Sequence, residues 1–157
     1  MLDELGARAG ALLKARGETI SVAEGSCGGL ISAALLAVTG ASAYYVGGSV
    51  IYTRAGKEAL LGDVLETPKG LRGASEPWVT WLAEATRTKL GTTWGIGEGG
   101  AAGPANPYGD PAGHAWFAVS GPQSATRHLL TGEDDRPTNM RLFAQAALEL
   151  LIETMGD

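Results

Sequence analysis

Residues 20–36 read I-S-V-A-E-G-S-C-G-G-L-I-S-A-A-L-L, and the order of residue types in this segment decides the fold. β-branched Ile20 and Val22 in a short apolar run predict a buried strand. Glu24, Gly25, Ser26, Cys27, Gly28 and Gly29 then predict a tight turn. Leu30, Ile31, Ala33, Ala34, Leu35 and Leu36 are apolar nearly all round, as in a helix packed on a sheet. A strand, glycine turn and helix in succession leave backbone N–H groups at a helix N-terminus without intrahelical partners. Such a terminus attracts anions and developing oxyanions. Glu24, Ser26 and Cys27 stand at its mouth, so this is where chemistry is expected.

Working outward, Leu2, Leu5, Ala9, Leu12 and Leu13 recur at helical spacing and Gly17 supplies a stop. After the break at Gly40, residues 43–45 are expected to form one helical turn. Residues 48–53 (G-S-V-I-Y-T) read as a second strand and residues 55–61 as a short helix ending at Gly62. Residues 63–73, with Pro68, read as a loop. Ser75-Glu76-Pro77 places a capping serine and a first-turn proline at the start of a helix running to Leu90. Residues 92–96 read as a third strand, and the Gly- and Pro-rich residues 97–113 as a functional or mobile loop. Residues 114–120 and 125–130 predict a hairpin around Gly121-Pro122, and residues 138–155 a last amphipathic helix. Helices alternating with strands, then a hairpin, predict an α/β fold: a three-layer α/β/α sandwich with a mixed sheet in a single domain over residues 1–157.

Composition narrows the function. A net charge of −5 with scattered basic residues argues against nucleic acid, whose phosphates need a basic face. The longest apolar run, residues 30–38, is too short to span a bilayer, and the N-terminus lacks the pattern of a signal peptide. One cysteine excludes an internal disulfide and fits a cytoplasmic protein. Residues 95–100 spell G-x-G-x-x-G, but the dinucleotide reading needs a helix straight afterwards, which the following prolines forbid. His114 and His128 have no Cys or carboxylate at zinc-like spacing, so they read as ordinary hairpin residues and no metal is expected.

At residues 23–30, A-E-G-S-C-G-G-L, the chain resembles the C-terminal domain of the CinA (competence/damage-inducible) family, whose turn typically reads A-E-S-C-T-G-G-L. The similarity continues at Thr39 to Tyr45, at Gly47, Gly48, Tyr52 and Lys57, at G-A-S-E-P (73–77), at G-A-A-G-P (100–104) and at G-H-A-W-F-A (113–118). Several family members are nicotinamide mononucleotide deamidases. The resemblance therefore implies serine amidohydrolysis of a small nucleotide-like amide, with lysine as base, no cofactor, and a homodimer. A lysine can accept a serine proton only where burial or nearby charge lowers its pKa, and turn amides would hold the oxyanion.

Mapped onto this chain, the implied catalytic residues are Ser26, Lys57 and Tyr52. The implied substrate-binding residues are Glu24, Gly25, Cys27, Gly28, Gly29, Gly99, Gly100, Ala101 and Arg136. The sequence departs from the family where it matters most. Gly25 occupies the nucleophile position, serine has moved one place to Ser26, and Gly99 replaces the hydroxyl residue that commonly precedes G-x-A-G-P. Ser26 therefore reads as nucleophile or as helix cap, and Cys27 as a second candidate nucleophile or a small buried filler. Glu24 reads as structural support that needs a partner, from Lys57 or from backbone donors. Two further readings stand beside the hydrolase: a non-catalytic domain that binds a nucleotide-like ligand, and an assembly module with a vestigial site.

Overall fold

The computed structural model describes residues 1–104 and 109–157. Its elements are α1 (Leu2–Arg16), β1 (Ile20–Glu24), α2 (Leu30–Leu36), a 3-10 turn (Ala41–Ala43), β2 (Tyr45–Val50), α3 (Arg54–Leu61), α4 (Glu76–Leu90), β3 (Trp94–Ala101), β4 (His114–Ser120), β5 (Ala125–Leu130) and α5 (Arg136–Thr154). The five strands form one sheet in the order β2-β1-β3-β4-β5. β1 pairs in parallel with both β2 and β3, whereas β3–β4 and β4–β5 are antiparallel. Helices α1, α2 and α5 pack together on one face, and α4, with α3 beside it, covers the other. The expected mixed-sheet, three-layer α/β fold is what the chain adopts.

The layers follow from residue type. All five residues of β1 are buried, as a strand covered on both faces must be. The larger core lies under α1, α2 and α5, where Leu13, Ile20, Ile31, Leu35, Phe143 and Leu148 are fully buried. Each such side chain stabilises the fold by about 1.5–3 kcal/mol. Helix starts are capped locally: Thr53 Oγ1 accepts the Gly56 amide (3.1 Å) and Asp135 Oδ2 the Thr138 amide (3.2 Å).

Two strands differ from the sequence expectation. The second strand runs over 45–50 instead of 48–53, because its register is set by pairing along β1, from Ile20↔Tyr45 to Glu24↔Val50. The third runs to Ala101 instead of stopping at residue 96, through four glycines. Those glycines are used for close approach. A Cβ on Gly95 would collide with the Ala83 carbonyl and one on Gly97 with the Val79 carbonyl, so α4 lies directly on the strand backbone. The Gly/Pro loop therefore begins only after Ala101, and residues 105–108 of it lie outside the described residues.

Position matters for function. β1 is the strand from which the chain departs in both directions along the sheet, with α2 on one face and α4 on the other. The carboxyl end of such a strand is where open α/β sheets place their ligands. The glycine turn sits there.

Candidate ligand cleft at the glycine turn

Residues 25–29 leave β1 and enter α2 with Gly28 and Gly29 at φ values of 65° and 106°, a left-handed path that favours glycine. The turn is held by two carboxylates. Glu24, fully buried, accepts the amides of Gly29 and Ile31 on Oε1 and of Ser32 on Oε2, each at 3.0 Å. Backbone donors are therefore its partners, and Lys57 is not. Glu98, also fully buried, accepts the amides of Gly25 and Cys27 on Oε1 at 2.9 Å and the Ser26 hydroxyl on Oε2 at 2.5 Å. The N–H groups expected to await an anion already carry the protein's own carboxylates. Burial pushes the Glu24 carboxyl above its ordinary value, opposed by the Ser32 and Ile31 amides and reinforced by the nearby charge of Glu98.

The expected serine–lysine pair is not assembled. Ser26 is nearly buried and its hydroxyl donates a hydrogen bond to Glu98. Lys57 is buried in α3, where Nζ meets Thr67 Oγ1 at 2.8 Å and Glu58 Oε1 at 2.7 Å and lies 5.0 Å from the Trp81 ring centre. The reading of Cys27 as a second nucleophile also fails on geometry: its side chain is fully buried in the core. Burial, with Glu98 and Glu24 close by, raises its thiol well above the ordinary range, which leaves no reactive thiolate.

Beside the turn lies a cleft of about 310 Å³, lined among others by Gly25, Tyr52, Thr53, Arg54, Trp78 and Gly99. Of the residues expected at the site, Gly25, Tyr52, Gly99 and Gly100 line it. Ser26, Cys27 and Ala101 are packed inward, and Gly28 and Gly29 build the turn. Tyr52 is 65% exposed, so it is not a packed core ring. Its hydroxyl accepts from Arg136 Nη2 at 2.6 Å, while Arg136 Nη1 donates to the Gly103 carbonyl at 2.6 Å. Arg136, expected at the site, is not among the residues that line the cleft and reaches it only through Tyr52.

Gly25 and Gly99, where the resemblance leads one to expect hydroxyl residues, face each other. A Cβ built on Gly25 would lie 4.0 Å from the Gly99 Cα, 3.0 Å from the Ile51 carbonyl oxygen and 3.3 Å from that of Glu98. The space beside Gly25 is bounded by carbonyl oxygens, the wrong polarity for an oxyanion.

Several participants escaped the sequence reading. Glu98 was visible as the lone charged residue in a glycine hexapeptide, but its role depended on knowing that 95–100 is a strand. Alternation then places it on the face opposite Gly97 and Gly99. Trp78 and Arg54 carried no signal. The histidines lie on the hairpin strands, as expected, and also bond across them: His128 Nε2 and His114 Nδ1 are 2.7 Å apart, and His114 Nε2 meets the Ala74 carbonyl at 2.9 Å. They thus tether Ala74, a cleft-lining residue held at a φ of 54°. Among the described residues no group of His, Cys, Asp and Glu is arranged to hold a metal.

Comparison with known proteins assigns the family. The CinA C-terminal domain family matches residues 2–155. A CinA-like protein of Salinibacter ruber is 42% identical over 150 residues, covering 94% of this chain and 36% of its own length. A CinA-like protein of an Anaeromyxobacter species is 38% identical, with 95% and 37% covered. The chain thus spans little more than a third of the length of these relatives. The crystal structure of the competence damage-inducible protein A of Klebsiella pneumoniae superposes with a TM-score of 0.89 at 30% identity, covering 98% of this chain and 96% of that one. The competence/damage-inducible protein CihA of Agrobacterium tumefaciens gives 0.88 at 26%, with 98% and 94% covered. Fold, glycine turn and sequence therefore agree, and the chain belongs to the CinA family through its C-terminal domain.

Proposed function

We infer that this domain binds a small nucleotide-like ligand of the nicotinamide mononucleotide class in the cleft beside Gly25, and does not hydrolyse it by a serine–lysine route. One observation carries the reading. The cleft is open and lined by Tyr52 and Arg54, with Arg136 donating to the Tyr52 hydroxyl, while the Ser26 hydroxyl and the Lys57 amine are each committed elsewhere. Cationic donors at a rim favour a phosphate-bearing ligand, and the family resemblance supplies the nucleotide class. Acyl transfer needs a nucleophile against its base and amides free for the oxyanion. Around residues 25–29 the Ser26 hydroxyl is buried on Glu98 and away from Lys57, and the amides of Gly25, Cys27 and Gly29 already bond the two carboxylates.

The test is calorimetric titration with nicotinamide mononucleotide alongside an ammonia-release assay. Binding without ammonia supports the reading; turnover that is lost in Lys57→Ala overturns it in favour of a hydrolase. That second reading keeps one observation of its own, a buried lysine amine on the helix whose first turn lines the cleft. The homodimer implied by the resemblance and the cytoplasmic location read from the single cysteine belong to the same proposal, and light scattering after gel filtration tests the former. No helix among the described residues is long and apolar enough to cross a membrane.

A further inference from the structure

Trp78 stands in the first turn of α4 with its indole half-buried against the cleft floor. A Cβ on Gly99 would lie 3.1 Å from its Cδ1 and 3.3 Å from its Nε1, so the pyrrole edge of the ring occupies the space a side chain at 99 would take. Two other tryptophans use their ring N–H within the fold: Trp81 donates to the Glu66 carbonyl and Trp94 to Glu18, both at 3.1 Å. Among the described residues the Trp78 N–H has no partner. An indole N–H is a donor only, and next to it the floor beside Gly25 presents the carbonyl oxygens of Ile51 and Glu98. A Cβ on Gly25 would lie 4.0 Å from the Gly99 Cα, so one donor and two acceptors border the same pair of neighbouring glycines.

We propose that Trp78 is the specificity-determining residue of this cleft, a ring face and single donor that select a flat heteroaromatic ligand bearing a primary carboxamide over the same ligand bearing a carboxylate. A carboxamide has one oxygen to accept from the indole and an NH2 to give to the carbonyl floor. A carboxylate has only acceptors, and its second oxygen would face the floor carbonyls unpaired. Such a mismatch of buried polar groups is what makes a hydrogen-bonding site selective. The inference rests on the binding reading above.

The experiment titrates nicotinamide mononucleotide and its acid counterpart into wild type, Trp78→Phe and Gly99→Ser, with a thermal melt to establish that each variant folds. Wild type is expected to bind the amide at least about tenfold more tightly than the acid, one lost hydrogen bond being worth roughly that factor. Trp78→Phe keeps a ring without the donor and should erase the preference. Gly99→Ser should displace the indole and weaken both ligands. A folded Trp78→Phe that retains the wild-type preference, or a wild type that favours the acid, overturns the role of Trp78 while leaving ligand binding intact. If neither nucleotide binds wild type, the binding reading falls and this one with it.

Discussion

The two sides of the glycine turn are built on opposite principles. The inner side is closed: the Ser26 hydroxyl and the amides of Gly25, Cys27, Gly29, Ile31 and Ser32 converge on Glu98 and Glu24. The outer side is open: Gly25 and Gly99 carry no side chain, and Arg54 makes no ion pair among the described residues while lining the cleft. Residues 25 and 26 lie in the turn that follows β1, where Gly25 lines the cleft and the Ser26 hydroxyl is packed inward on Glu98. In this turn a polar residue at 26 therefore sits in the interior, while position 25 faces the cleft. In this chain serine stands at 26 where the family turn has it at 25, and its hydroxyl meets a carboxylate that comes from the neighbouring strand. What the shift teaches is that a satisfied polar network stabilises a corner at the expense of reactivity.

The sharpest way to break this contrast is Glu98→Ala, which strands two buried amides and a hydroxyl. Unsatisfied groups of this kind cost about 1–3 kcal/mol each, so urea denaturation should show a loss of about 3–5 kcal/mol; a loss under about 1 kcal/mol would mean the inner side is hydrated and not sealed. Next comes Gly25→Ser, which restores the family's residue. Its Cβ would lie 3.0 Å from the Ile51 carbonyl oxygen, and crowding of this degree costs about 1–3 kcal/mol. Ammonia release from nicotinamide mononucleotide should remain absent, because Lys57 is engaged by Thr67 and Glu58. Recovery of turnover would show that the outer side lacks only its nucleophile.

A smaller effect lies in the pH dependence. The Glu24 carboxyl is raised in the folded state, chiefly by burial. The folded protein therefore binds its proton more readily than the unfolded chain does. The sign follows: this contribution to stability is full below the ordinary value near 4.5 and is lost as pH rises through the raised one. Denaturation midpoints should fall across that window in wild type and lose that slope in Glu24→Gln. Last, native Cys27 should resist iodoacetamide at pH 8 and react only on unfolding, as a buried protonated thiol must. Brisk native alkylation would mean the inner side opens.

Much of the frame was legible in residue order. Helix α1 begins and ends where its apolar spacing and Gly17 indicate, and the β4–β5 hairpin falls where the Gly121-Pro122 break puts it. β3 was cut short because glycine weakens a strand by its intrinsic preference, whereas here the bare backbone is what lets α4 approach. The cleft was legible only where motif residues line it, at Gly25, Tyr52, Gly99 and Gly100. Ser26 and Lys57 sit at motif positions, yet local sequence carries no information about which buried partner a side chain will find across 72 or 10 residues of chain.

The sequence alone determined the layered α/β frame, the glycine turn and the absence of a side chain at 25 and 99, because periodicity, capping and glycine content act over a few residues. Only the tertiary structure decided that the Ser26 hydroxyl faces Glu98, that Lys57 is buried against Thr67, and that an indole N–H with no partner among the described residues borders the cleft. Those are outcomes of which strand lies beside which and how closely a helix can approach. They are set by packing and by the cost of leaving buried polar groups unpaired.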